Sequence, residues 1–474
     1  MKQARFFAGA AALAVSGFAA LTLAGCGQGA MSNASSGASG GQTMVVTVGD
    51  APLSNILSAK VTLSSVSLTP SGGGNDVTVL ASSRTIELSS LGAIQEPLET
   101  ENIAAGTYSA VNVTVSSATV TYVDSTGSVV TGSATVSSAN DTVALNPALT
   151  VTQGQDVHLS LDFNLAQSFD LTGSTLTFTP SIATAAASIE QESEANREVE
   201  VTGSVVSVNS TSITVQSAAT GVQSTFAINS STQFSSNTSA ASIKPGSIVT
   251  VHGTVQADGS LLAVMISAAM NGDAMNSSQT GGRGIVTAVA KDGSGNIASF
   301  TFLPREDFGS DMSSSSPLTV TLSASTTYGV SEDAVQLGIP ATAFTAAEIF
   351  VGQSVQVIGT AGSGGSIAAQ EVDLAPESLS GTLAAAPQGA APAYTFTLQL
   401  PAQSFLTTYD SLTTLNAATT AQTEYEGALT SSGFASLAAG TSLEVHGYLL
   451  LDSSNHYSLT VADVNQVEGE TTDH

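Results

Sequence analysis

Apolar and polar residues alternate with a period of two along most of the chain beyond residue 43. The alternating runs are Val46 and Val48, Val61 to Leu68, Val111 to Val115, and Leu159 to Phe163. Turn-forming residues separate them, as in Ser71 to Asn75 and Asp124 to Gly127. This period is that of a β-strand with one buried face, and many short strands between turns are typical of a β-sandwich. We therefore predict a β-sandwich over residues 43–188.

The remaining chain contains three copies of one pattern. Each copy has an opening Gly-x-Val or Gly-x-Leu, a threonine shortly before an aromatic residue, a glycine ahead of a strand, and a second glycine seven positions later. These landmarks are Gly203, Thr232, Gly246 and Gly253; Gly284, Thr326, Gly352 and Gly359; and Gly381, Thr423, Gly440 and Gly447. Matching landmarks in one order indicate an internal repeat. About 70 residues with five or so strands can close a small barrel of the OB-like kind.

The predicted fold is therefore all-β, with an N-terminal β-sandwich followed by three tandem small OB-like β-barrels. The barrels are predicted at residues 199–270, 282–375 and 377–468. Residues 189–198 are rich in glutamate, and we interpret them as a solvated acidic linker. Residues 271–281, with Gly, Asn, Ser and Gln, form a second predicted linker.

The amino terminus has the pattern of an export signal. Lys2 and Arg5 precede an apolar run from Phe6 to Leu23, which matches the charged and hydrophobic regions of a signal peptide. The run ends in Leu23-Ala24-Gly25-Cys26. The alternative is a retained transmembrane anchor, because the run is close to the length that spans a bilayer.

The residues from Leu23 to Cys26 resemble the bacterial lipobox, in which the cysteine is acylated and the chain is cut just before it. The resemblance implies a signal peptide over residues 1–25, a lipid anchor on Cys26 and a location in the cell envelope. Gly27 follows the cysteine, which is compatible with delivery to the outer membrane. Residues 26–42 are rich in Gly, Ser and Ala and are expected to form a flexible tether.

Composition and charge exclude several classes of function. The 474 residues contain 9 Lys+Arg and 37 Asp+Glu, which gives a net charge of −28. Such a charge repels phosphate backbones, so we expect no nucleic-acid partner. The single cysteine excludes a disulfide framework and any Cys-based zinc cluster. The absence of Trp leaves few platforms on which sugars or bases could stack.

No catalytic, metal-binding or cofactor-binding constellation can be recognised in the sequence, and we expect no cofactor. There is no Gly-x-Ser-x-Gly, His-Glu-x-x-His, P-loop or Cys-x-x-Cys motif. His252 and His446 share one repeat position, but the second copy has Ile358 there, which favours an ordinary strand position. Asp292 to Asn296 begins like a calcium loop, yet Leu303 replaces the glutamate of the twelfth position, so a hairpin turn is favoured.

Two segments resemble known families. The residues Asp50-Ala51-Pro52, Val61 to Leu68, Ala105 to Tyr108, Leu161 to Leu165 and Phe178 to Pro180 occur in the order of the bacterial lipoprotein family called domain of unknown function 4382. The first repeat, Gly203 to Ile266, resembles domain of unknown function 5666. The first of these families has no established activity, so the resemblance implies a boundary and a context without a mechanism.

These observations favour an envelope-anchored, non-enzymatic lipoprotein that acts as an extracytoplasmic scaffold, spacer or recognition surface. Its expected partners are the membrane, through Cys26, and an envelope protein or glycan. One alternative is a glycan- or protein-binding module that uses the insertions Pro304 to Pro317 and Pro401 to Tyr409 of the second and third copies. Its stacking residues would be Tyr394, Phe396, Tyr409, Tyr425, Tyr448 and Tyr457. The other alternative is a hydrolase with a carboxylate pair assembled across domains.

Overall fold

The structure is a computed structural model. It describes residues 42–51, 55–91, 95–124, 126–171, 175–193, 195–235, 239–268, 275, 278–308, 317–402, 404–425, 429–451 and 456–466. All of them belong to one compact unit that spans Gly40–His474. The predicted signal peptide, Cys26 and nearly all of the predicted tether lie outside the described residues. No helix in the described ranges has the length and apolar character needed to cross a bilayer.

Two sheets form the amino-terminal sandwich. The strands are β1 Gln42–Ala51, β2 Ile56–Pro70, β3 Val77–Leu80, β4 Arg84–Glu87, β5 Glu96–Ile103, β6 Gly106–Val123, β7 Val129–Val136, β8 Asn140–Val151, β9 Val157–Asn164, β10 Phe169–Asp170, β11 Thr177–Phe178 and β12 Ile182–Ser188. The smaller sheet has the order β12-β9-β1-β5, and the larger one follows β10-β11-β7-β6-β2-β3, with β4 on β2 and β8 on β6. Alternate residues of both sheets, such as Val46, Leu161 and Val113, meet in one core. The structure confirms the predicted all-β sandwich.

Each repeat contributes six strands with one connectivity. Repeat 1 contains β13 Glu198–Val208, β14 Ser212–Ser217, β15 Gln223–Ala227, β16 Gln233–Phe234, β17 Ile248–Val255 and β18 Leu261–Ala268. Repeat 2 contains β19 Gln279–Lys291, β20 Ile297–Asp307, β21 Leu318–Thr321, β22 Thr327–Val330, β23 Ser354–Ala361 and β24 Ile367–Leu374. Repeat 3 contains β25 Glu377–Leu383, β27 Ala393–Gln399, β28 Thr414–Ala418, β29 Glu424–Tyr425, β30 Ser442–Leu451 and β31 Tyr457–Gln466, and adds β26 Gln388–Ala390.

Five strands of each repeat close into a barrel. In repeat 1 the order is β15-β14-β13-β17-β18, and a parallel pairing of β15 with β18 completes the ring. Repeat 2 closes through β21 and β24, and repeat 3 closes through β25 and β27. The cyclic order first-second-third-fifth-fourth is that of an OB-like barrel, as the sequence predicts.

The few helices of the described residues are short. The α-helices are α1 Leu165–Ser168, α2 Glu332–Gln336, α3 Phe405–Asp410 and α4 Ser431–Phe434. The 3-10 helices are Leu88–Ser90, Ile189–Gln191, Ala195–Arg197, Ala346–Glu348 and Ser363–Gly365. They lie in connections between strands, so the sheets determine the architecture.

The repeat glycines have two structural roles. A Cβ at the opening glycine would overlap a backbone carbonyl oxygen of the next strand, at Gln216 for Gly203 and at Leu303 for Gly284. Glycine therefore permits the close approach of the first two barrel strands. The glycine ahead of the fourth barrel strand has a left-handed φ, which is 89° at Gly246, 91° at Gly352 and 86° at Gly440. L-residues rarely adopt this conformation, so glycine is favoured there.

The repeat threonine makes the same two hydrogen bonds in all three barrels. Its Oγ1 donates to a carbonyl oxygen of the last strand and accepts from the backbone N–H three residues earlier. The donated bonds are Thr232 to Ala263, 2.8 Å, Thr326 to Ala369, 2.9 Å, and Thr423 to Val461, 2.7 Å. The accepted bonds come from Asn229, 3.1 Å, Ser323, 2.9 Å, and Thr420, 2.8 Å. One side chain thus fixes the bend against the closing strand.

Gly203→Ala should lower the stability of repeat 1 by about 1–3 kcal/mol, because the added methyl group must displace backbone. Thermal unfolding followed by circular dichroism measures the effect. Gly293→Ala is the matched control, since a Cβ there has nothing within 4 Å. Equal melting temperatures for the two variants would contradict the close-approach role of Gly203.

Candidate functional site

Ionisable side chains from the sandwich and all three repeats meet in one place, which we call the central junction. The sandwich contributes Glu87 and Glu96, repeat 1 contributes Glu200 and His252, repeat 2 contributes Arg283, Arg305 and Glu306, and repeat 3 contributes Glu377 and His446. Charges are scarce in this chain, at 10% of residues, so their concentration here is notable. Buried charges must be paired or hydrogen-bonded to be tolerated.

Arg305 links three of the four modules. It lies near the end of β20, and its Nη1 donates to both carboxylate oxygens of Glu377 in repeat 3, at 3.0 and 3.1 Å. Its Nε donates to the carbonyl oxygen of Leu57 in the sandwich. The Arg305 and Glu377 side chains are 6% and 3% exposed, so solvent screens this ion pair little.

Glu96 joins the sandwich to repeat 1. Its carboxyl group accepts hydrogen bonds from Ser217 Oγ at 2.6 Å and from Thr220 Oγ1 at 3.3 Å. Burial raises the pKa of Glu96 to about 8, and the nearby charges of Glu306 and Glu200 act in the same direction. At neutral pH this carboxyl group is therefore mostly protonated.

Two histidine–carboxylate pairs border the junction. His252 Nδ1 lies 3.0 Å from Glu200 Oε2, and His446 Nδ1 lies 3.0 Å from Asp463 Oδ2. Burial opposes the charge on His252, but the charge of Glu200 outweighs it and raises the pKa of His252 to about 10. Burial likewise opposes ionisation of Glu200, yet His252 brings the pKa of Glu200 down to about 2. The two groups therefore form an ion pair over a wide pH range.

The space within the junction is small. A cavity of about 10 Å³ is lined by Arg283, Arg305, Glu306, Ser378 and His446, among others. This volume has room for about one water molecule. Glu96 and Glu306 are 5% and 3% exposed, so these carboxylates face packed protein rather than a substrate cleft. Across the described ranges, no group of three or more His, Cys, Asp or Glu side chains is arranged to hold a metal ion.

A second buried polar cluster lies in the sandwich near repeat 1, and we call it the His158 network. His158 Nε2 is 2.9 Å from Thr47 Oγ1, and His158 Nδ1 is 3.0 Å from Glu192 Oε2. Thr47 Oγ1 is also 2.9 Å from Gln95 Oε1. Thr47 and His158 are 0% and 1% exposed. Sequence reasoning missed this cluster, because its members come from four distant segments.

The predicted acidic linker is exposed over much of its length, at Glu190, Gln191, Ser193, Asn196 and Glu198, but two of its residues are shielded from solvent. Ile189 is fully buried in the core of repeat 1, and the Glu192 side chain is 7% exposed. The physical reason is that Glu192 has a partner, His158, which compensates the loss of hydration of its carboxylate. The strand β13 then begins at Glu198, so this segment docks repeat 1 onto the sandwich.

The insertions and aromatic residues considered for recognition lie largely within the protein. In the first insertion, Arg305 and Glu306 belong to the central junction, and residues 309–316 lie outside the described residues. In the second insertion, α3 buries Phe405 and Leu406. Among the aromatic side chains, Tyr394, Phe396 and Tyr448 are 4%, 5% and 3% exposed. The rings of Tyr394, Phe396 and Tyr425 pack around Phe434.

The remaining candidates from the sequence are surface features. Asp292 accepts hydrogen bonds from the backbone N–H groups of Ser294 and Asn296, at 2.8 and 3.0 Å, which is the geometry of a hairpin turn. His456 is exposed. Cys26, the proposed lipidation site, is outside the described residues.

Comparison with known proteins supports the two sequence resemblances. Residues 42–180 match the family model described as Domain of unknown function (DUF4382), and residues 202–267 match Domain of unknown function (DUF5666), in that order. No curated protein matches the chain. The chain is also similar to solved structures of a single-stranded DNA-binding protein.

The wild-type single-stranded DNA-binding protein from Thermus aquaticus shares 12% identity with the chain, over 41% of this chain and 95% of that one, with a TM-score of 0.18. A deletion mutant of the same protein shares 13% identity over 41% and 97%, with a TM-score of 0.18. Scores at this level support no inference about the chain.

Proposed function

We propose that this protein is an envelope-anchored, non-enzymatic lipoprotein whose four β modules form one rigid scaffold or spacer outside the cytoplasm. The observation that carries the proposal is the central junction, where all four modules contribute ionisable groups and where Glu87, Arg305, Glu306 and Glu377 are buried. A hinge motion that separates repeat 2 from repeat 3 would leave the buried side chains of Arg305 and Glu377 without their ion-pair partners. Breaking such a buried pair is strongly unfavourable, so the modules should move as one body.

Apolar contacts between repeats 2 and 3 support the same conclusion. Tyr448 of repeat 3 packs within the core of repeat 2, and its hydroxyl group lies 2.7 Å from Ser331 Oγ. The rings of Phe350 and Tyr457 meet edge to face across the two repeats, with centroids 5.0 Å apart. Gln353 Nε2 donates to the carbonyl oxygen of Leu449 at 3.1 Å. Interfaces that are packed and hydrogen-bonded in this way resist hinge motion.

The second insertion favours a scaffold over a recognition loop. The ring of Phe405, in α3 of repeat 3, packs directly against Gly352 in repeat 2, where any Cβ would overlap it. Thr408 of the same helix lies close to Gly127 in a turn of the sandwich. The insertion therefore fills the space between three modules, which explains its length without an external ligand.

The anchoring part of the proposal rests on the sequence around Cys26 and on the charge of the chain. The lipobox-like residues supply a thiol for acylation. The Gly/Ser-rich residues that follow supply a flexible tether between the lipid and the folded body. A net charge of −28 repels both anionic lipid surfaces and nucleic acids. The folded body is thereby kept away from the membrane to which its lipid is attached, as a spacer requires.

Cys26→Ser should abolish acylation and release the protein from the membrane fraction, because the side chain that would carry the lipid is removed. Cell fractionation with metabolic fatty-acid labelling measures both effects. Ser32→Ala, which leaves the lipobox-like residues intact, serves as the control and should behave as wild type. Wild-type protein that is soluble and carries no fatty-acid label would contradict the anchor.

A further inference from the structure

The hydrogen bonds of the His158 network determine the charge of the His158 ring. Thr47 Oγ1 has one proton, which it donates to Gln95 Oε1 at 2.9 Å. The same oxygen lies 2.9 Å from His158 Nε2, so this contact is a hydrogen bond only when Nε2 carries a proton. His158 Nδ1 lies 3.0 Å from Glu192 Oε2, and an ionised carboxylate can only accept. Both ring nitrogens therefore donate, and a histidine ring with two protons is a cation.

Burial makes the two charged groups depend on each other. His158 is 1% exposed, and the Glu192 side chain is 7% exposed. A buried charge is tolerated when a paired and hydrogen-bonded partner compensates it. Loss of the Nδ1 proton would leave the Glu192 carboxylate shielded from water, without its donor and facing the lone pair of a ring nitrogen. That arrangement is unfavourable, so the contact requires the charged ring.

The other ionisable residues on the elements around the ring are engaged elsewhere or lie further along those elements. They are Asp156 and Asp162 of β9, Asp50 of β1, Glu96 beside Gln95, and Glu190, Arg197, Glu198 and Glu200 of the linker and β13. Asp156 Oδ1 accepts from Thr43 N–H at 2.7 Å, and Glu200 pairs with His252 at 3.0 Å. The strand β12, which pairs with β9, contains no charged residue. The carboxylate placed against the ring is that of Glu192.

The pair also holds the acidic linker, residues 189–198, against the sandwich. The backbone N–H of Glu192 donates to the carbonyl oxygen of Ile189 at 3.4 Å, so the two residues share one short turn. Ile189 N–H donates to the carbonyl oxygen of Asp156 in the sandwich at 3.2 Å, and the Ile189 side chain is buried in the core of repeat 1. Movement of Glu192 away from the ring would therefore disturb the turn that seats Ile189.

We propose that the His158–Glu192 pair is a pH-operated latch that fastens the acidic linker to the sandwich. The latch is closed while the His158 ring carries two protons. When the pH rises, the ring loses its Nδ1 proton, and the Glu192 carboxylate moves into water, where it is hydrated. The turn from Ile189 to Glu192 then opens. The closed latch holds one proton that the open latch has released, so a rise in pH favours the open form.

Opening is confined to the linker. Ser217 of repeat 1 still donates to Glu96 of the sandwich, and Val45 of β1 packs in the core of repeat 1. Neither contact includes His158 or Glu192. The four modules therefore stay together while the linker opens, and the latch depends neither on the lipid anchor nor on the central junction.

Nitrogen-15 NMR of the full-length protein, labelled at histidine, tests the charge of the ring. At the pH where exposed His456 has lost one ring proton, His158 should still carry both of its own. The His158 signals are assigned by their absence from the spectrum of His158→Gln. A His158 ring that becomes neutral together with His456, or at lower pH, would overturn the proposal.

Hydrogen exchange followed by mass spectrometry measures whether the linker opens. A peptide that contains Ile189 and Glu192 should exchange about tenfold faster once His158 is neutral, after correction for the intrinsic effect of pH on exchange. Glu192→Gln should remove this step, because an amide can accept from a protonated Nδ1 or donate to a bare one. Glu190→Gln, at an exposed carboxylate of the same turn, is the matched control and should keep the step.

The exchange measurement remains decisive if His158→Gln fails to fold, because it uses wild type and two variants that keep the histidine. Glutamine has nearly the size of glutamate and can still bond the ring, so Glu192→Gln should fold. Linker exchange in wild type that shows no step between pH 5 and pH 9 would overturn the proposal. A step of the same size in Glu192→Gln and Glu190→Gln would overturn it as well.

Discussion

Arg305→Met is expected to lower the free energy of unfolding by about 3–5 kcal/mol, which is the usual cost of removing one partner of a buried ion pair. The substitution leaves the Glu377 carboxylate buried without its cation and leaves the carbonyl oxygen of Leu57 without its donor. Methionine fills similar space, so the loss should reflect the charge rather than a cavity. The contact that links the sandwich with repeats 2 and 3 would then be broken.

Differential scanning calorimetry measures this effect and also tests the proposed rigid body. Wild-type protein should unfold in one cooperative transition, and Arg305→Met should melt earlier, with the modules separating into more than one transition. Lys291→Met, at an exposed position at the end of β19, is the matched control. The double variant Arg305→Met/Glu377→Leu should recover part of the loss, because no unpaired charge remains. An unchanged transition in Arg305→Met would contradict the role of the junction.

The second large effect is a loss of stability as the pH rises from about 5 to about 8. Burial raises the pKa of Glu96 from 4.5 to about 8 in the folded protein. Between these values the folded state holds a proton that the unfolded state has released, so stability falls with increasing pH. The linkage relation gives up to about 4 kcal/mol for this one group. Burial also raises the pKa of Asp373, to about 7, which acts in the same direction.

Glu96→Gln isolates the contribution of this carboxyl group. Glutamine stays neutral, so the variant should lose much less stability between pH 5 and pH 8 than wild type does. Urea unfolding at several pH values measures the difference, with Glu101→Gln, at an exposed position of the same strand, as the control. Parallel pH profiles for wild type and Glu96→Gln would show that Glu96 is not the group responsible. Below about pH 4.5, protonation of Glu200 should destabilise the protein again, because its folded pKa is about 2.

Local patterns in the chain were sufficient to predict most of the fold. Period-two alternation identified the strands of the sandwich, because one face of each strand is buried and the other is not. The repeat landmarks identified the barrels because each landmark residue has a role in the backbone structure at its own position. Gly203 permits a close strand approach, Gly246 adopts a left-handed φ, and Thr232 bonds the closing strand. Each of these three residue types is required by the backbone conformation or the backbone contacts at its own position.

The sequence therefore determined the all-β class, the sandwich, the repeated barrels and the acidic charge. The central junction and the His158 network were decided by tertiary structure alone. The sequence placed Arg305 in a surface insertion and Glu192 in a solvated linker. A charged residue in a polar segment does not indicate which distant residue it will pair with. The partners, Glu377 and His158, lie far away in the chain. Their meeting depends on how complete modules dock, and docking is fixed by the packing of many side chains at once rather than by the period of any one strand.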